Sequence, residues 1–362
     1  MKILTVVGAR PQFIKAAAVS RAVAKHSDIR ELIVHTGQHY DENMSEIFFR
    51  QMEIPEPAIN LGIKGKTHAA MTGQMMEGLE NIMLKEKPDV VLIYGDTNST
   101  LAGALAARKL HLKLAHVEAG LRSFNMLMPE EVNRIVADRV SDLLFCTGQT
   151  AIINLRKEGF ENFSCKMFDV GDVMYDAALH YSKKSKSQST IITKLGLKDF
   201  VVCTLHRAEN TDRKERLEAL ADTLNKINTR VPVVLPLHPR TKKILSEENI
   251  KLDVTVIEPV GYFDMLELLK NCRMVLTDSG GLQKEAFYFG KFCITLRDET
   301  EYTELVEAGY NRLTGSNGKL IEQAFEHFMK LKKDFSEKFF GSGDASEKIV
   351  SHLLKEAEAW TK

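Results

Sequence analysis

The chain has 362 residues, of which 44% are hydrophobic and 27% are charged, a composition typical of a globular protein with room for two cores. Lysine plus arginine and aspartate plus glutamate both number 49, so no overall charge favours nucleic acid or an anionic membrane as a partner. We therefore expect a small-molecule partner, whose anionic groups would be bound by local side chains.

The N-terminus and the cysteines predict a cytoplasmic protein. No apolar run approaches the roughly 18 residues of a membrane-spanning helix, and the opening stretch MKILTVVGARPQF predicts a buried strand rather than a signal peptide. The five cysteines form no C-x-x-C motif and mostly lie in apolar runs, so we expect reduced core thiols.

Short apolar runs that end in Gly, Asp, Thr or His alternate with amphipathic helical stretches along the chain. In chain order the predicted strands are ILTVVG, ELIVHTG, DVVLIYGDT, KLAHVEAG, DLLFCTG, FVVCTLHR, PVVLPLHP, VTVIEPV, MVLTDSGG and FCITLRD. This alternation predicts the α/β class with parallel sheets. Ligands of such sheets bind at the carboxyl ends of the strands, so the residues closing each strand are the candidates for function.

A polar segment rich in lysine and serine, residues 179–196, separates the strands into two series. We therefore predict a first domain over residues 1–171 and a second over residues 172–342. The stretch from about residue 343 to 362 predicts an amphipathic helix, which we expect to pack back on the first domain.

The segment GARPQFIK closes the first predicted strand and begins a helix, with Pro11 in its first turn. Arg10 and Lys15 lie near the positive end of that helix dipole, where cations are disfavoured. Binding of a diphosphate would explain them, and so would simple solvation at the surface.

Acidic residues close two strands and open the helix that follows. Asp96 and Glu118 come directly after apolar runs, and Glu130, Glu131 and Arg134 lie at the start of the next predicted helix. The helix acids could simply complement the dipole. If the carboxylates converge, burial and like charge would raise their pKa values and create proton donors and acceptors. We therefore predict a proton-transfer site.

Two strands of the second series end in a histidine and a nearby arginine. His206 and Arg207 close CTLHRAEN, and His238 and Arg240 close LPLHPR. A single strand-end histidine often has only a structural hydrogen bond, but two of them with arginines favour an anion-binding wall. The chain has no H-E-x-x-H motif or short Cys/His spacing, so no metal site is predicted.

The segment TDSGGLQKEAF combines a strand end, a glycine turn and a helix start. Gly280 and Gly281 allow a ligand to approach the backbone, and Ser279 adds a hydroxyl next to helix N–H groups suited to phosphate. Glu285, about one and a half turns into the helix, could accept hydrogen bonds from ribose hydroxyls. The pattern favours a nucleotide site, although the glycine pair alone could be a tight structural turn.

Together the segments GARPQFIK, HTGQHYDENM, GDTNST, HVEAGLRS, MPEEVNR, HRAEN, LPLHPR and DSGGLQKEA resemble the non-hydrolysing UDP-N-acetylglucosamine 2-epimerases, over about residues 1–311. The resemblance implies a glycosyltransferase-B-like fold, in which two Rossmann-like domains face each other across a cleft, and usually a homodimer. It implies no metal and no nicotinamide or other cofactor. It also implies a reaction in which UDP is eliminated from the sugar, a 2-acetamidoglucal forms, and UDP is added back, in making precursors of bacterial surface polysaccharides.

The resemblance assigns roles to matching positions. The implied acid–base residues are Asp96, Glu118 and Glu131, with His206 assisting at the leaving phosphate or in proton transfer. The implied UDP-binding residues are Arg10, His238, Ser279, Gly280, Gly281 and Glu285, with Lys15 supporting the side of the first domain.

Two positions depart from the enzymes that act on UDP-N-acetylglucosamine. Ala208 and Tyr302 stand where those enzymes carry arginines. With the segments GARPQF, HYDENM and RSFNM, they make the chain more similar to relatives acting on UDP-2,3-diacetamido-2,3-dideoxy-glucuronate. The alternatives are a hydrolysing 2-epimerase, a glycosyltransferase of the same fold and a non-catalytic sensor of sugar nucleotides.

Overall fold

The computed structural model describes residues 1–38 and 56–360, and it divides into two compact units. One unit combines residues 1–177 with the segment from Lys338 onward, and the other comprises residues 178–337. Each unit contains its own parallel sheet. The segment HYDENM, residues 39–44, lies outside the described residues.

The first unit is built around a seven-stranded sheet of order β3-β2-β1-β4-β5-β6-β7. Its strands are β1 Lys2–Val7, β2 Arg30–His35, β3 Ile59–Asn60, β4 Val90–Tyr94, β5 Lys113–Ala119, β6 Leu143–Cys146 and β7 Lys166–Asp169. Its helices are α1 Arg10–Val23, α2 His68–Glu86, α3 Asn98–Lys109, α4 Pro129–Val140, α5 Gln149–Lys157, the start of α6 Val173–Gln188, and the C-terminal helix Ala345–Trp360.

The second unit is built around a six-stranded sheet of order β10-β9-β8-β11-β12-β13. Its strands are β8 Val201–Thr204, β9 Val233–Pro236, β10 Thr255–Ile257, β11 Val275–Thr277, β12 Cys293–Thr295 and β13 Asn311–Leu313. Besides the rest of α6, its helices are α7 Ile191–Leu195, α8 Ala208–Thr211, α9 Lys214–Asn228, α10 Pro239–Glu247, α11 Tyr262–Asn271, α12 Gly280–Tyr288, α13 Thr303–Glu307 and α14 Gly318–Lys330.

Every strand pair in both sheets is parallel, which confirms the predicted class. Central strands such as β4, with the sequence VVLIY, are buried along their whole length because helices cover both faces of the sheet. The ten strands predicted from apolar runs are all present. The short strands β3, β7 and β13 were not predicted, because their sequences IN, KMFD and NRL are not apolar runs.

The strand order reverses direction once in each sheet, between β1 and β4 in the first unit and between β8 and β11 in the second. In open parallel sheets such a switch point, at the carboxyl ends of the strands, is where ligands bind. The residues that follow these four strands include Arg10, Asp96, His206 and Asp278. The topology therefore places candidate residues at the switch point of each unit.

Candidate active site

Glu118 projects from an irregular point of the central strand β5. Val117 pairs with Phe145 and Ala119 with Cys146, so Glu118 is an additional residue relative to β6. Its φ of 72° is left-handed, which is uncommon for a residue other than glycine and typical of strained functional positions. The bulge changes the direction of this side chain relative to a regular strand.

The Glu118 carboxylate is bound by Lys15 of α1. The Lys15 Nζ atom lies 2.5 Å from Glu118 Oε1, and both side chains are almost completely buried. A Cβ atom added to Gly95 would lie 3.1 Å from the Lys15 ammonium and 3.5 Å from the Glu118 carboxylate. The ion pair therefore contacts the residue directly before Asp96.

Asp96 is held by the helix α4. The Arg134 guanidinium donates to the Asp96 carboxylate, and the Asn133 side chain donates to the Asp96 carbonyl at 2.9 Å. The Asp96 side chain keeps 28% of its surface exposed. Its carboxylate is fixed in position yet accessible to a ligand.

Glu131 has a different environment from the other two predicted acids. Its fully buried carboxylate accepts from Arg134 at 3.0 Å and from the Ser123 hydroxyl at 3.0 Å. It also accepts from the N–H groups of Ser123 and Phe124, both at 2.9 Å. These contacts fix both Arg134 and the loop that precedes α4.

The three predicted acids do not face one another as an unpaired cluster. Asp96 and Glu131 share Arg134, and Glu118 is paired with Lys15. A cation lies against each carboxylate, a partner that the sequence pattern did not indicate. Lys15 pairs with Glu118 and Arg134 with Asp96, so these contacts join residues that are distant in the sequence.

Arg10 begins α1 directly after the turn that follows β1. The neighbouring Gln12 side chain accepts from the N–H groups of Gly8 and Ala9, at 2.8 and 3.0 Å, and donates to the Tyr94 carbonyl at 2.8 Å. Gln12 thus ties the turn after β1 to the end of β4, across the switch point.

In the second unit, His206 is oriented by Asp278. The Nδ1 atom of His206 lies 2.9 Å from Asp278 Oδ1, while 45% of the His206 side chain is exposed and Asp278 is buried. Asp278 also accepts from the N–H groups of His206 and Arg207, both at 2.9 Å. Because a carboxylate can only accept, Nδ1 of His206 carries hydrogen and Nε2 is left for a ligand.

Burial alone would raise the pKa of the Asp278 carboxyl, but the hydrogen bond and charge of His206 and the two N–H donors outweigh it. The pKa is consequently lower than its ordinary value. Asp278 lies in the segment TDSGGLQKEAF, but the sequence pattern predicted no role for it. Its place directly after a buried strand, like that of Asp96, was the available signal.

The turn after β11 leaves space for a ligand. Nothing lies within 4 Å of a Cβ added to Gly281, and a Cβ on Gly280 would meet only the Arg207 guanidinium, at 4.0 Å. Ser279 is the N-cap residue of α12, and Glu285 is the sixth residue of that helix and buried. A helix N-terminus next to an arginine and open glycines is suited to phosphate.

His238 and Arg240 also lie at a helix start, but they are engaged locally. His238 caps α10, because its ring Nδ1 accepts from the Arg240 N–H at 3.2 Å. The Arg240 side chain donates to Asp212 of the second unit. Both side chains expected to bind an anion therefore have partners within the second unit.

Within the described part of the chain, no group of three His, Cys, Asp or Glu side chains is placed to hold a metal ion. The cysteines form no disulfide, and all but Cys165 are buried. Burial raises the pKa of the Cys272 thiol to about 12. None of the helices described is long and apolar enough to span a membrane.

The family model for UDP-N-acetylglucosamine 2-epimerase matches residues 21–354. The chain belongs to this family. The family predicted from the sequence motifs is thus confirmed, and with it the enzyme class, an isomerase of UDP-sugars.

Similar proteins include two other epimerases and a solved structure. The UDP-2,3-diacetamido-2,3-dideoxy-D-glucuronate 2-epimerase of Pseudomonas aeruginosa is 54% identical over 98% of this chain and 100% of the relative. The UDP-N-acetylglucosamine 2-epimerase of Methanocaldococcus jannaschii is 44% identical over 98% of this chain and 99% of the relative. The crystal structure of the M. jannaschii UDP-GlcNAc 2-epimerase with UDP-GlcNAc and UDP superposes with a TM-score of 0.91, at 42% identity, covering 98% of this chain and 100% of that one.

These neighbours confirm the predicted glycosyltransferase-B-like class of fold for this epimerase.

Proposed function

We propose that the chain is a non-hydrolysing 2-epimerase that inverts C2 of a UDP-N-acetylhexosamine. The observation that carries the proposal is the strained, bulged Glu118, whose carboxylate is held by Lys15 against the residue preceding Asp96. Two neighbouring carboxylates with different environments are what proton removal and return at a single carbon require.

The proposed reaction has two half-steps. A carboxylate removes the C2 proton, the C2–H electrons form the C1=C2 double bond, and the C1–O bond breaks with its electrons leaving on UDP. The resulting 2-acetamidoglucal then accepts a proton at C2 on the opposite face while UDP re-adds at C1. Asp96 and Glu118 are the proposed proton carriers, since each carboxylate is oriented by a cation and Glu118 lies beside Gly95, the residue before Asp96.

We assign Glu131 and His206 supporting positions around this chemistry. Glu131 fixes Arg134, which in turn fixes Asp96, so its loss would misplace the acid–base group without removing it. The exposed face of His206, oriented by Asp278, is suited to donate a proton or hydrogen bond to the departing phosphate.

The nucleotide is assigned to the second unit. Ser279, Gly280 and Gly281 at the start of α12 would hold the phosphates, Glu285 the ribose hydroxyls, and the exposed His238 ring another part of UDP. In the first unit we keep Arg10 and Lys15 as substrate-binding residues, with Lys15 acting through its ion pair with Glu118.

For the substrate we propose the 2,3-diacetamido-2,3-dideoxy-glucuronate derivative of UDP over UDP-N-acetylglucosamine. The P. aeruginosa relative named for that sugar is 54% identical. Ala208 is exposed at the start of α8, and Tyr302 is buried with the Lys284 ammonium 5.0 Å from its ring centre. Neither residue supplies the guanidinium that the UDP-N-acetylglucosamine enzymes carry, so we expect no activation by a second UDP-N-acetylglucosamine.

Proton NMR of the purified chain with each UDP-sugar tests this proposal. We expect the diacetamido sugar to be converted to its C2 epimer at least as fast as UDP-N-acetylglucosamine, with hyperbolic kinetics and no free UDP accumulating. Accumulating UDP with a free sugar would favour a hydrolysing epimerase, and UDP release only on adding an acceptor would favour a glycosyltransferase. Rapid conversion of UDP-N-acetylglucosamine with the diacetamido sugar untouched would overturn the substrate assignment.

We further propose a homodimer, on the basis of the family resemblance. Light scattering coupled to gel filtration should give twice the mass of one chain, and a monomer mass at micromolar concentration would contradict it.

A further inference from the structure

A group of buried charged side chains contacts the backbone close to Asp96 and Glu118 in the first unit. The His116, Arg122 and Asp138 side chains are all 0% exposed, and Arg122 reaches Asp138 at 2.7 Å. Arg122 also binds Glu158 through two contacts of 2.7 and 2.8 Å. Burying charges is costly even when they are paired, so an apolar cluster of similar volume would serve stability equally well. These buried charges therefore point to a role beyond packing.

His116 connects this cluster to the residue before Asp96. Its Nδ1 atom lies 2.7 Å from Asp138 Oδ1, and its Nε2 atom lies 2.7 Å from the Gly95 carbonyl oxygen. Both partners can only accept, so the ring donates from both nitrogens. Gly95 has a φ of 59°, and the direction of its carbonyl sets how the chain enters Asp96.

Asp138 connects the same cluster to the backbone just after Glu118. Its Oδ2 atom accepts from the Gly120 N–H at 3.1 Å as well as from Arg122. The Gly120 carbonyl accepts from the Asn154 side chain at 3.1 Å, so both polar groups of Gly120 are bound. Gly120 has a φ of 82°, and a Cβ there would lie 2.6 Å from the Ala151 carbonyl oxygen.

Burial alone would raise the pKa of Asp138, but the hydrogen bonds and charges of His116 and Arg122 outweigh it and lower the pKa. The carboxylate is consequently ionised and can accept from several donors at once. This agrees with the geometry of the cluster.

We propose that the His116–Asp138 pair is a positioning device for the reaction. One end holds the Gly95 carbonyl, next to Asp96, and the other holds the Gly120 N–H, two residues after Glu118. The pair holds backbone groups beside both candidate proton carriers, so it acts by fixing their backbone positions relative to each other. The inference rests on the proposed function, because it assumes that Asp96 and Glu118 transfer the C2 proton.

Asp138→Asn tests this proposal, with Asp142→Asn as its matched control. Asp142 accepts from the Leu114 N–H at 3.0 Å, at the opposite end of the same strand β5. Asparagine at 138 keeps the volume but loses the charge and one of the two acceptor oxygens. We expect Asp138→Asn to lower kcat by about 10- to 100-fold, the scale for misplaced catalytic groups, with UDP affinity unchanged within twofold. Asp142→Asn should keep kcat within about twofold of wild type.

Thermal melting and calorimetry with UDP report folding independently of turnover. If the wild type is active and the two variants have equal kcat, the positioning role is overturned. It is also overturned if Asp138→Asn loses UDP affinity to the same extent as it loses kcat. If Asp138→Asn does not fold, His116→Gln replaces it, because glutamine lacks the two opposed ring N–H donors that join Asp138 to the Gly95 carbonyl, and the Arg122 contacts remain. Its kcat should fall by about threefold or more, and wild-type kcat would overturn the proposal. A wild type that epimerises no UDP-sugar would contradict the proposed function itself and this inference with it.

Discussion

Each candidate proton carrier is fixed by one unusual feature. Glu118 adopts a left-handed backbone at a bulge, and Asp96 is bound by a guanidinium while it stays partly exposed. A left-handed conformation costs an ordinary residue roughly 1–2 kcal/mol, which a purely structural position in a buried strand would avoid. The strain at Glu118 therefore indicates that this side chain has a function beyond packing.

The strain makes a prediction about stability. We expect Glu118→Gly to be more stable than Glu118→Ala by about 1 kcal/mol, because both lose the carboxylate but only glycine adopts a φ of 72° without strain. Glycine in an ordinary strand is less stable than alanine, so the order here is reversed. Urea unfolding followed by circular dichroism measures the difference. An alanine variant as stable as the glycine variant would show that Glu118 is not strained.

The second prediction concerns Asp96→Asn, which removes the proton-transfer group but keeps an oxygen that can accept a hydrogen bond. Asp96→Asn should lower kcat by about 100-fold or more, the lower end of general acid–base effects, and leave UDP affinity within twofold of wild type. Asp89→Asn is the matched control, since Asp89 accepts from the Lys2 N–H at the opposite end of β4. Calorimetry and steady-state assays give the two quantities. A large loss of UDP affinity with kcat preserved would make Asp96 a nucleotide contact.

At the scale of elements, the helix α4 turns a polar face inward. Its buried residues Glu131, Asn133, Arg134 and Asp138 bind the loop before the helix, Asp96, and the His116 cluster in turn. A helix that packed only for stability would bury apolar residues on this face. α4 thereby joins the ends of β4 and β5 and the loop that follows β5 into one rigid arrangement.

The helix α12 of the second unit follows β11, a strand at the switch point, and its Glu285 makes a third prediction. Glu285→Ala should weaken UDP binding by about 1.5–3 kcal/mol, the scale for hydrogen bonds to a charged group, and leave the fold intact. Glu322→Ala on α14 serves as the control, because Glu322 has a surface ion pair with Lys226. Unchanged UDP affinity in Glu285→Ala would leave DSGGLQKEA as a structural turn.

The sequence predicted the position of the candidate residues in the fold more completely than their contacts. Strand ends were visible as apolar runs followed by polar residues, which located Asp96, Glu118 and His206. The Lys15–Glu118 pair joins residues 103 positions apart, and the bulge at Glu118 depends on pairing with β6, so neither could be deduced locally. The cation beside each carboxylate was missed for the same reason, because it depends on tertiary packing.

Each unit has a buried carboxylate with a lowered pKa that binds N–H groups near the carboxyl ends of the strands. It is Asp138 in the first unit and Asp278 in the second. Asp278 makes a fourth prediction. A carboxyl whose folded pKa lies below its unfolded value, about 3.9, contributes stability above that value and loses it as pH falls through the folded pKa. The stability lost in Asp278→Asn should therefore be largest above about pH 5 and shrink below about pH 4. Urea unfolding at both pH values checks this, with the exposed Asp298→Asn as control, and a difference that grows on acidification would contradict it.

The most direct test of the account is the fate of the C2 hydrogen in D2O. The purified wild-type chain is incubated with the diacetamido UDP-sugar and, separately, with UDP-N-acetylglucosamine, and the recovered UDP-sugars are analysed by NMR. Proton transfer by Asp96 and Glu118 predicts one deuterium at C2 of the epimerised product and none at any other carbon. An epimerised product that keeps its original C2 hydrogen would contradict the elimination and re-addition of UDP through a glycal.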